Sequence, residues 1–403
     1  MDRIRITITF LAQIIIALLV ASCAQRSSPT HSSFKTFEDF QSALSLAVES
    51  GEIESFWAQI RQTPLIYDDT AIFLYRGEAI SMFWSADFAP GDKSLELLPM
   101  ERQGDTDIWI LQHHFPLDAR FNYRIAINGH DKILDPFNPY QNIEESGPVS
   151  ELRMPDYIPD EIVSPRKSIN HGALSNDTMI FSEILDYEVN YKVYTPYGYE
   201  NLQGLPSIYV VDGLQYADND LGSMVTVLDN LIHEGSIQPV IAVFIDRLDP
   251  KTGLNRREEE FDLPTTFDQF IVKELVPIID QSYQTKPLSG SRAILGCSLG
   301  GIFAFHVGIA HPETFNLIAA QSPAPRLPRV HATWLRNQRD ELPLKFFISV
   351  GTIGDVTDPA NSMREILEEE GYPLLFIETN DGHAWGNYRR HIDELLLFFF
   401  SVE

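Results

Sequence analysis

The chain has 403 residues, is 44% hydrophobic and 22% charged, and carries a net charge of −27. That length and composition fit a globular protein of one large or two ordinary domains, able to build its core without disulfides. The acidic balance excludes nucleic acid and an anionic membrane surface as partners, because both need clustered Lys and Arg.

Arg3 and Arg5 precede a short apolar run over residues 6–19, followed by Val20-Ala21-Ser22-Cys23. This layout is a targeting segment, to be left out of the fold. The run is short for a membrane span, which needs about 20 apolar residues. A small residue before cysteine, with an aliphatic residue three positions upstream, is similar to a bacterial lipobox. The resemblance implies a lipoprotein signal peptide over residues 1–22 and lipidation of Cys23. It also implies a lipid-anchored place in the cell envelope, periplasmic or otherwise extracytoplasmic. Residues 23–34 are rich in Ser, Thr and Pro and read as a flexible tether.

Residues 37–62 carry Phe40, Leu44, Leu46, Ala47, Ile53, Phe56 and Ile60 at helical spacing, and Gly51 splits the run into two short helices. From residue 66 to about residue 142 the pattern is β. Residues 71–75 and 79–84 read as strands joined by a hairpin-like turn at Arg76-Gly77-Glu78. Residues 108–111 and 121–127 read as further strands, and Asn128-Gly129 is a turn signal. Short strands with polar turns predict a small β-sandwich, so residues 35–160 are assigned to a helical segment plus that sandwich.

Residues 155–165, rich in Pro and acid, read as a linker. Strands and helices then alternate. Residues 187–194 alternate as an antiparallel strand does, while residues 207–211 and 240–245 are the continuous apolar runs of buried parallel strands. A helix over 267–283, strands over 293–295, 344–350 and 373–377, and helices over 302–310, 361–371 and 388–400 complete the series. Residues 166–403 thus predict an α/β fold with a doubly wound, mostly parallel sheet.

Within it, Gly296-Cys297-Ser298-Leu299-Gly300 lies between an apolar strand and a helix. A serine at the apex of a strand–turn–helix is the nucleophile elbow of an α/β-hydrolase, and the flanking glycines relieve its crowding. Catalytic groups in such sheets sit past the carboxyl ends of strands. Asp355 and Asp358 follow one strand, and His383 follows the next. The order Ser, Asp, His is that of the hydrolase fold. Ser298 is the candidate nucleophile and His383 the base. Asp355 or Asp358 orients the imidazole, with Asp355 closer to the strand end. Leu299, and Leu214 within Asp212-Gly213-Leu214-Gln215, are the candidate oxyanion-hole donors. Arg256 and Arg257 either bind an anionic group of the substrate or are held by Glu258, Glu259, Glu260 and Asp262. Trp385, beside His383, joins them as a substrate-binding candidate. Cys297 reads as a small buried side chain, and His306, His311 and His391 as structural. No metal or cofactor is implied.

Together these motifs resemble the enterochelin esterase-like family of α/β-hydrolases, a group that includes esterase D-type and carbohydrate-esterase-1-type feruloyl and acetyl xylan esterases. The residues that carry the resemblance are Tyr194-Thr-Pro-Tyr-Gly-Tyr199, Val211-Asp-Gly-Leu214, Arg257 with Glu259 or Glu260, Phe270 through Leu275-Val-Pro277, Gly296-Cys-Ser-Leu-Gly-Gly301, His311-Pro-Glu-Thr-Phe315 and Gly382-His-Ala-Trp385. Upstream, Phe73-Leu-Tyr-Arg-Gly77, Phe115-Pro-Leu-Asp-Ala-Arg-Phe-Asn-Tyr123 and Asp135-Pro-Phe-Asn-Pro139 are similar to the immunoglobulin-like domain that precedes the catalytic domain in enterochelin esterases. The resemblance implies a serine esterase working through an acyl-enzyme on a small-molecule or polysaccharide-linked ester. A siderophore ester leads; a feruloyl or acetyl ester of a polysaccharide, acyl transfer to an alcohol, and a non-catalytic carbohydrate-binding protein are the alternatives. Two departures stand out: Cys297 replaces the family's smaller residue before the nucleophile, and ferric catecholate siderophores are anionic while this chain is acidic.

Overall fold

The computed structural model describes residues 33–86, 97–263, 265–324, 335 and 342–402. The signal segment, Cys23 and most of the tether lie outside the described residues. Among the described residues no helix is long and apolar enough to cross a membrane.

Helices Phe37–Ser50 and Ile53–Trp57 open the fold. Thr36 and Asp39 cap the first reciprocally, and Gly51 ends it at φ 75°, a left-handed value open to glycine. Strands β1 Leu65–Tyr67, β2 Thr70–Arg76, β3 Met82–Ala86, β4 Leu98–Pro99, β5 Glu101–Arg102, β6 Ile108–His114, β7 Arg120–Ile127, β8 Asp131–Ile133, β9 Gln141–Glu144 and β10 Gly147–Arg153 follow. They form two antiparallel sheets, β1-β2-β6-β5 and β4-β3-β7-β10-β9, with β8 on β7. Phe73 and Trp109 of the first sheet pack between the sheets with Trp84, Phe121, Tyr123 and Leu152 of the second. Successive strand residues point to opposite faces. Ile72 and Leu74 of β2 therefore meet Phe40, Leu44 and Phe56 of the opening helices. Burial on both faces explains why β2 is apolar throughout rather than alternating.

The hairpin expected at Arg76-Gly77-Glu78 is a crossover instead: β2 and β3 lie in different sheets. The pairing of β2 is set by the distant β6, with Tyr75 opposite Trp109. Two apolar runs around a short polar break fit either connection, so the break alone does not decide it.

The second part holds β11 Ala173–Leu174, β12 Thr178–Ser182, β13 Tyr187–Thr195, β14 Ser207–Val210, β15 Ile241–Ile245, β16 Arg292–Cys297, β17 Leu317–Gln321, β18 Lys345–Gly351 and β19 Leu374–Thr379. They form a nine-stranded sheet ordered β11-β13-β15-β14-β16-β17-β18-β19, with β12 also on β13. From β15 to β19 all neighbours are parallel, and β13 joins antiparallel to β15. Alternate residues feed two cores. Tyr209, Val243 and Ile294 meet Ile302, Phe303 and Val307 of helix Leu299–Ala310 on one face. Ile208, Ala242 and Leu295 meet Met224, Leu228, Ile392 and Leu396 on the other. The chain is an α/β-hydrolase with a mixed, mostly parallel sheet, preceded by antiparallel sheets. Strand β17 is absent from the sequence reading, which passed from the elbow helix to residue 344. The helix read over residues 388–400 is divided at His391.

Candidate active site

Strand β16 delivers Ser298 to the start of helix Leu299–Ala310 at φ 53°, ψ −119°. A non-glycine residue held there costs about 1–3 kcal/mol. The neighbouring glycines are explained by close approach. A Cβ on Gly296 would lie 2.2 Å from Gly300 O, and one on Gly300 would lie 2.9 Å from Asp212 Oδ2. Strand and helix touch backbone to backbone, and the Ser298 N–H donates to Gln321 O at 2.8 Å.

The loops after β18 and β19 bring two further groups to this apex. His383 Nε2 lies 3.0 Å from Ser298 Oγ, and His383 Nδ1 lies 2.7 Å from Asp355 Oδ1. Asp355 Oδ2 accepts from Ser322 Oγ at 2.6 Å and from the Gly351 N–H at 2.7 Å. Burial pushes the Asp355 carboxyl up. The hydrogen bond and charge of His383, with the bonds from Ser322 and Gly351, outweigh burial and hold it below the usual carboxylate range. Asp358 is exposed in the first turn of helix Thr357–Glu369. Of the two aspartates, it is Asp355 that reaches His383.

Leu214 and Leu299 occupy matching positions. Strands β14 and β16 are parallel with Val210 opposite Leu295, so helices Gly213–Ala217 and Leu299–Ala310 start at the same level. The first N–H groups of a helix have no intrahelical acceptor. Gly213 allows this approach, since a Cβ there would lie 2.3 Å from Ile245 N.

Beneath both helix starts lies Asp212, fully buried at φ 54°. It accepts from Arg257 Nε at 2.7 Å and Nη2 at 2.8 Å, and from Arg247 Nη1 at 2.9 Å. Arg257 Nη2 also donates to Cys297 O at 3.0 Å. Burial would lower the Arg257 pKa, but the Asp212 charge raises it further, so this guanidinium stays charged. Arg256 corrects the paired-arginine expectation. Its guanidinium is bound by Asp249 at 2.8 Å and Glu259 at 3.0 Å, stacks over Tyr187, and does not line the cavity. Arg257 does line it, and its partner is Asp212 rather than the acids of its own segment.

A cavity of about 390 Å³ opens over Ser298 and His383, walled by Arg247, Arg257, Trp385 and Tyr388. Trp385 donates from Nε1 to Glu145 Oε1 at 3.2 Å and meets Tyr216 and Tyr388 edge-on. Glu144, Glu145 and Ser146, from the β9–β10 hairpin of the sandwich, complete the wall, and Glu145 also pairs with Arg247. The sequence reading missed these three, together with Arg247 and Ser322. The one local signal was the Gln321-Ser322-Pro323 break after an apolar run. Cys297 is buried, and burial with the nearby Asp212 charge pushes its thiol well up, which keeps it protonated. His311 is held by Asp268 and His391 by Thr379, and neither they nor His306 line the cavity. Among the described residues no group of three or more His, Cys, Asp or Glu is placed to hold a metal ion.

The esterase family model, described as "Putative esterase", matches residues 182–390, just over half of the chain. An endo-1,4-beta-xylanase/feruloyl esterase of Xylanibacter ruminicola is 28% identical over 320 residues, 74% of this chain and 41% of that protein. The chain therefore spans less than half the length of that relative. The iron(III) enterobactin esterase of Escherichia coli is 27% identical over 96 residues, 24% of this chain and 23% of that one. Among solved structures, the ferric enterobactin esterase of Salmonella typhimurium aligns with a TM-score of 0.69 at 17% identity, covering 86% of this chain and 98% of that chain. A ferulic acid esterase of Anaeromyces mucronatus aligns with a TM-score of 0.50 at 17% identity, covering 60% and 96%. Identities this low show the fold alone. The family match goes further, and by it the chain belongs to the esterase family, enterochelin esterase-like in setting antiparallel sheets ahead of its hydrolase sheet.

Proposed function

We propose that the protein hydrolyses carboxylic esters through an acyl-enzyme on Ser298. The observation that carries this is the contact series Ser298–His383–Asp355, at 3.0 and 2.7 Å. His383 Nε2 takes the hydroxyl proton as Ser298 Oγ bonds to the carbonyl carbon. The proton then passes to the leaving alkoxide as the ester C–O bond breaks. Water repeats the sequence, freeing the acid and restoring the serine. Asp355 fixes the imidazole tautomer and balances its positive charge, while the Leu214 and Leu299 N–H groups bind the oxyanion.

The favoured substrate is a neutral ester, such as a feruloyl or acetyl ester of a saccharide. Arg247 and Arg257 share the cavity with three carboxylates, Asp212, Glu144 and Glu145. Both arginines are engaged by Asp212, which leaves a poor receptor for a multiply charged catecholate. A siderophore lactone is the second reading, supported by the alignment along nearly the whole of the enterobactin esterases. A panel of feruloyl, acetyl and p-nitrophenyl esters with ferric and iron-free triscatecholate lactones tests the choice. Preference for a lactone overturns the neutral-ester reading. Fluorophosphonate labelling that is lost in Ser298→Ala tests the mechanism. A folded wild type that does not label fails as an esterase and returns the chain to a carbohydrate-binding role. Ester products formed with a competing alcohol would identify acyl transfer. We also propose that Cys23 carries a lipid anchor in the cell envelope. Detergent-phase partition of the wild type, lost in Cys23→Ala, is the expected result; equal partition of both refutes it.

A further inference from the structure

We propose that Arg120, in the sandwich, is a positioning residue for His383, which makes the N-terminal sheets part of the catalytic machinery. The proposal rests on the reading of Ser298 and His383 as a catalytic pair. Arg120 opens β7 and is 1% exposed. Its guanidinium donates to Glu151 Oε2 at 2.6 Å, Asn122 Oδ1 at 3.0 Å and Asp381 Oδ1 at 3.4 Å. Its backbone N–H donates to Asn380 O at 2.9 Å, so the start of β7 pairs with the loop that carries His383.

Asp381 lies two residues before His383 and is fully buried. Its Oδ1 also accepts the Gly382 N–H at 2.9 Å, and its carbonyl accepts the Ile353 N–H at 3.1 Å. One carboxylate thus connects Arg120 to the backbone before His383, and its carbonyl connects to the loop that carries Asp355. Buried and unpaired, such a charge is costly; Arg120 is the nearer cation against it, and Arg390 Nη1 lies 4.0 Å from Oδ2. The sandwich holds the other side of His383 as well. Arg389 Nη2 donates to Asn142 Oδ1 at 2.8 Å, and the Trp385 N–H lies 3.4 Å from Glu144 Oε2. Between these ties the guanidinium lies against Gly386, where a Cβ would come 1.9 Å from Arg120 Nη1. Only glycine leaves room for the arginine at that place. The hydrolase domain itself adds the Asn387 Nδ2 bond to Gly382 O at 3.0 Å. The hydrolase sheet adds further bonds to the segment, among them Gln321 Nε2 to Tyr388 O at 2.8 Å and Thr352 Oγ1 to Asn380 Oδ1 at 2.6 Å, so the sandwich shares the hold on it.

Removing the guanidinium loosens the loop at Asp381 and Gly382, while Ser298 and Arg257 stay in place and Trp385 keeps its edge-on packing on Tyr216 and Tyr388. The loss then falls on the proton-transfer geometry rather than on substrate binding. The test uses the full chain with Arg120→Ala, Gly386→Ala and the double variant, after folding is checked by circular dichroism. Steady-state kinetics on a p-nitrophenyl ester are read beside the rate of fluorophosphonate labelling. In each single variant kcat and labelling fall together, by on the order of 10- to 100-fold, with KM little changed. Gly386→Ala acts by displacing Arg120, so it adds little further loss in the Arg120→Ala background. Wild-type kcat in a folded single variant overturns the proposal, as does full additivity in the double. Should the alanine variants fail to fold, Arg120→Lys, which keeps the charge but cannot bridge Glu151 and Asp381, is read by the same criterion. If the wild type neither labels nor turns over ester, the Ser298 reading has failed, and Arg120 falls with it.

Discussion

Replacing Gly296 by alanine puts one methyl group between strand β16 and the elbow helix. The new Cβ would stand 2.2 Å from Gly300 O, 2.4 Å from Gly300 C and 2.7 Å from Val211 Cγ2. The first two are backbone atoms and cannot rotate away. Carbon contacts are comfortable only near about 3.5 Å, so the helix must recede by roughly 1 Å. Overpacking of this kind costs about 1–3 kcal/mol of stability. The cost to rate is larger than its structural share, because Ser298 and Leu299 begin the helix that moves. A misplacement of about 1 Å at reacting groups costs on the order of 100-fold, equivalent to about 2.7 kcal/mol of barrier. Steady-state kinetics on an activated aryl ester and a thermal melt measure the two costs separately. The expected result is a loss of kcat/KM on that scale with a modest drop in melting temperature. Gly301→Ala is the contrast: its Cβ would meet Gln321 O at 3.2 Å, which small shifts relieve, and its loss is smaller. Wild-type kcat/KM and melting temperature in Gly296→Ala would refute the claim that the elbow depends on backbone contact between strand and helix.

Asp355→Asn preserves shape but not the tautomer of His383, and kcat falls by on the order of 10,000-fold. Asp358→Asn leaves kcat unchanged, because Asp358 is exposed; equal losses in both variants would contradict the geometry. Burial pushes the Glu260 carboxyl up from its usual 4.5 to about 8, against the Tyr187 hydrogen bond and the Arg256 charge. The folded state then keeps a proton that the unfolded chain releases above 4.5, so this group makes stability fall as pH rises from 4.5 to about 8. Glu260→Gln keeps an acceptor for Tyr187 and removes that slope, at most about 1.4 kcal/mol per pH unit. Urea unfolding at both ends of that range checks it, and a stability difference that does not grow with pH counts against it. Cys297 resists alkylation in the native protein at mildly alkaline pH and reacts once unfolded in urea, because burial and Asp212 disfavour the thiolate. Mass-spectrometric labelling reads this, and rapid native alkylation would show the thiol to be open.

The elbow was legible because its cause is local: an apolar strand, a turn crowded enough to demand glycine, and a helix, all within a dozen residues. Asp355 and His383 were legible by position, each just past a parallel strand. Choosing between Asp355 and Asp358 was not possible from composition. What separates them is where helix Thr357–Glu369 begins, which turns Asp358 to solvent in a first turn that favours acids. The cavity wall was hidden for a different reason. Trp385 and Glu145 are 240 residues apart, and Arg120 and Asp381 are 261 apart. No periodicity reports a contact at that range. The residues that make it, an acid pair in a hairpin and an arginine opening a strand, read locally as ordinary surface. Arg120 in fact sits at a sheet end that solvent never reaches.

Asp212 and Arg257 explain how an acidic chain can favour an anionic intermediate. Arg257 donates both to the Asp212 carboxylate and to Cys297 O. Asp212 precedes the turn that presents Leu214, and Cys297 precedes Ser298 and Leu299. One guanidinium therefore ties together the two segments that would supply the oxyanion-hole N–H groups and fixes their spacing. A second guanidinium, Arg247, binds the same carboxylate and leads on to Glu145 of the sandwich. Arg247 also has Glu145 against it, so the two guanidiniums face Asp212 and Glu145, and with Glu144 these carboxylates make much of the cavity wall negative. A substrate that is anionic from the start meets that wall as well as the arginines, and the two effects oppose each other. An ester that is neutral on entry gains negative charge only at its carbonyl oxygen, and only as Ser298 attacks. Its interaction with the N–H groups and the cation pair is then stronger in the transition state than in the ground state, which is the condition for raising kcat rather than merely lowering KM.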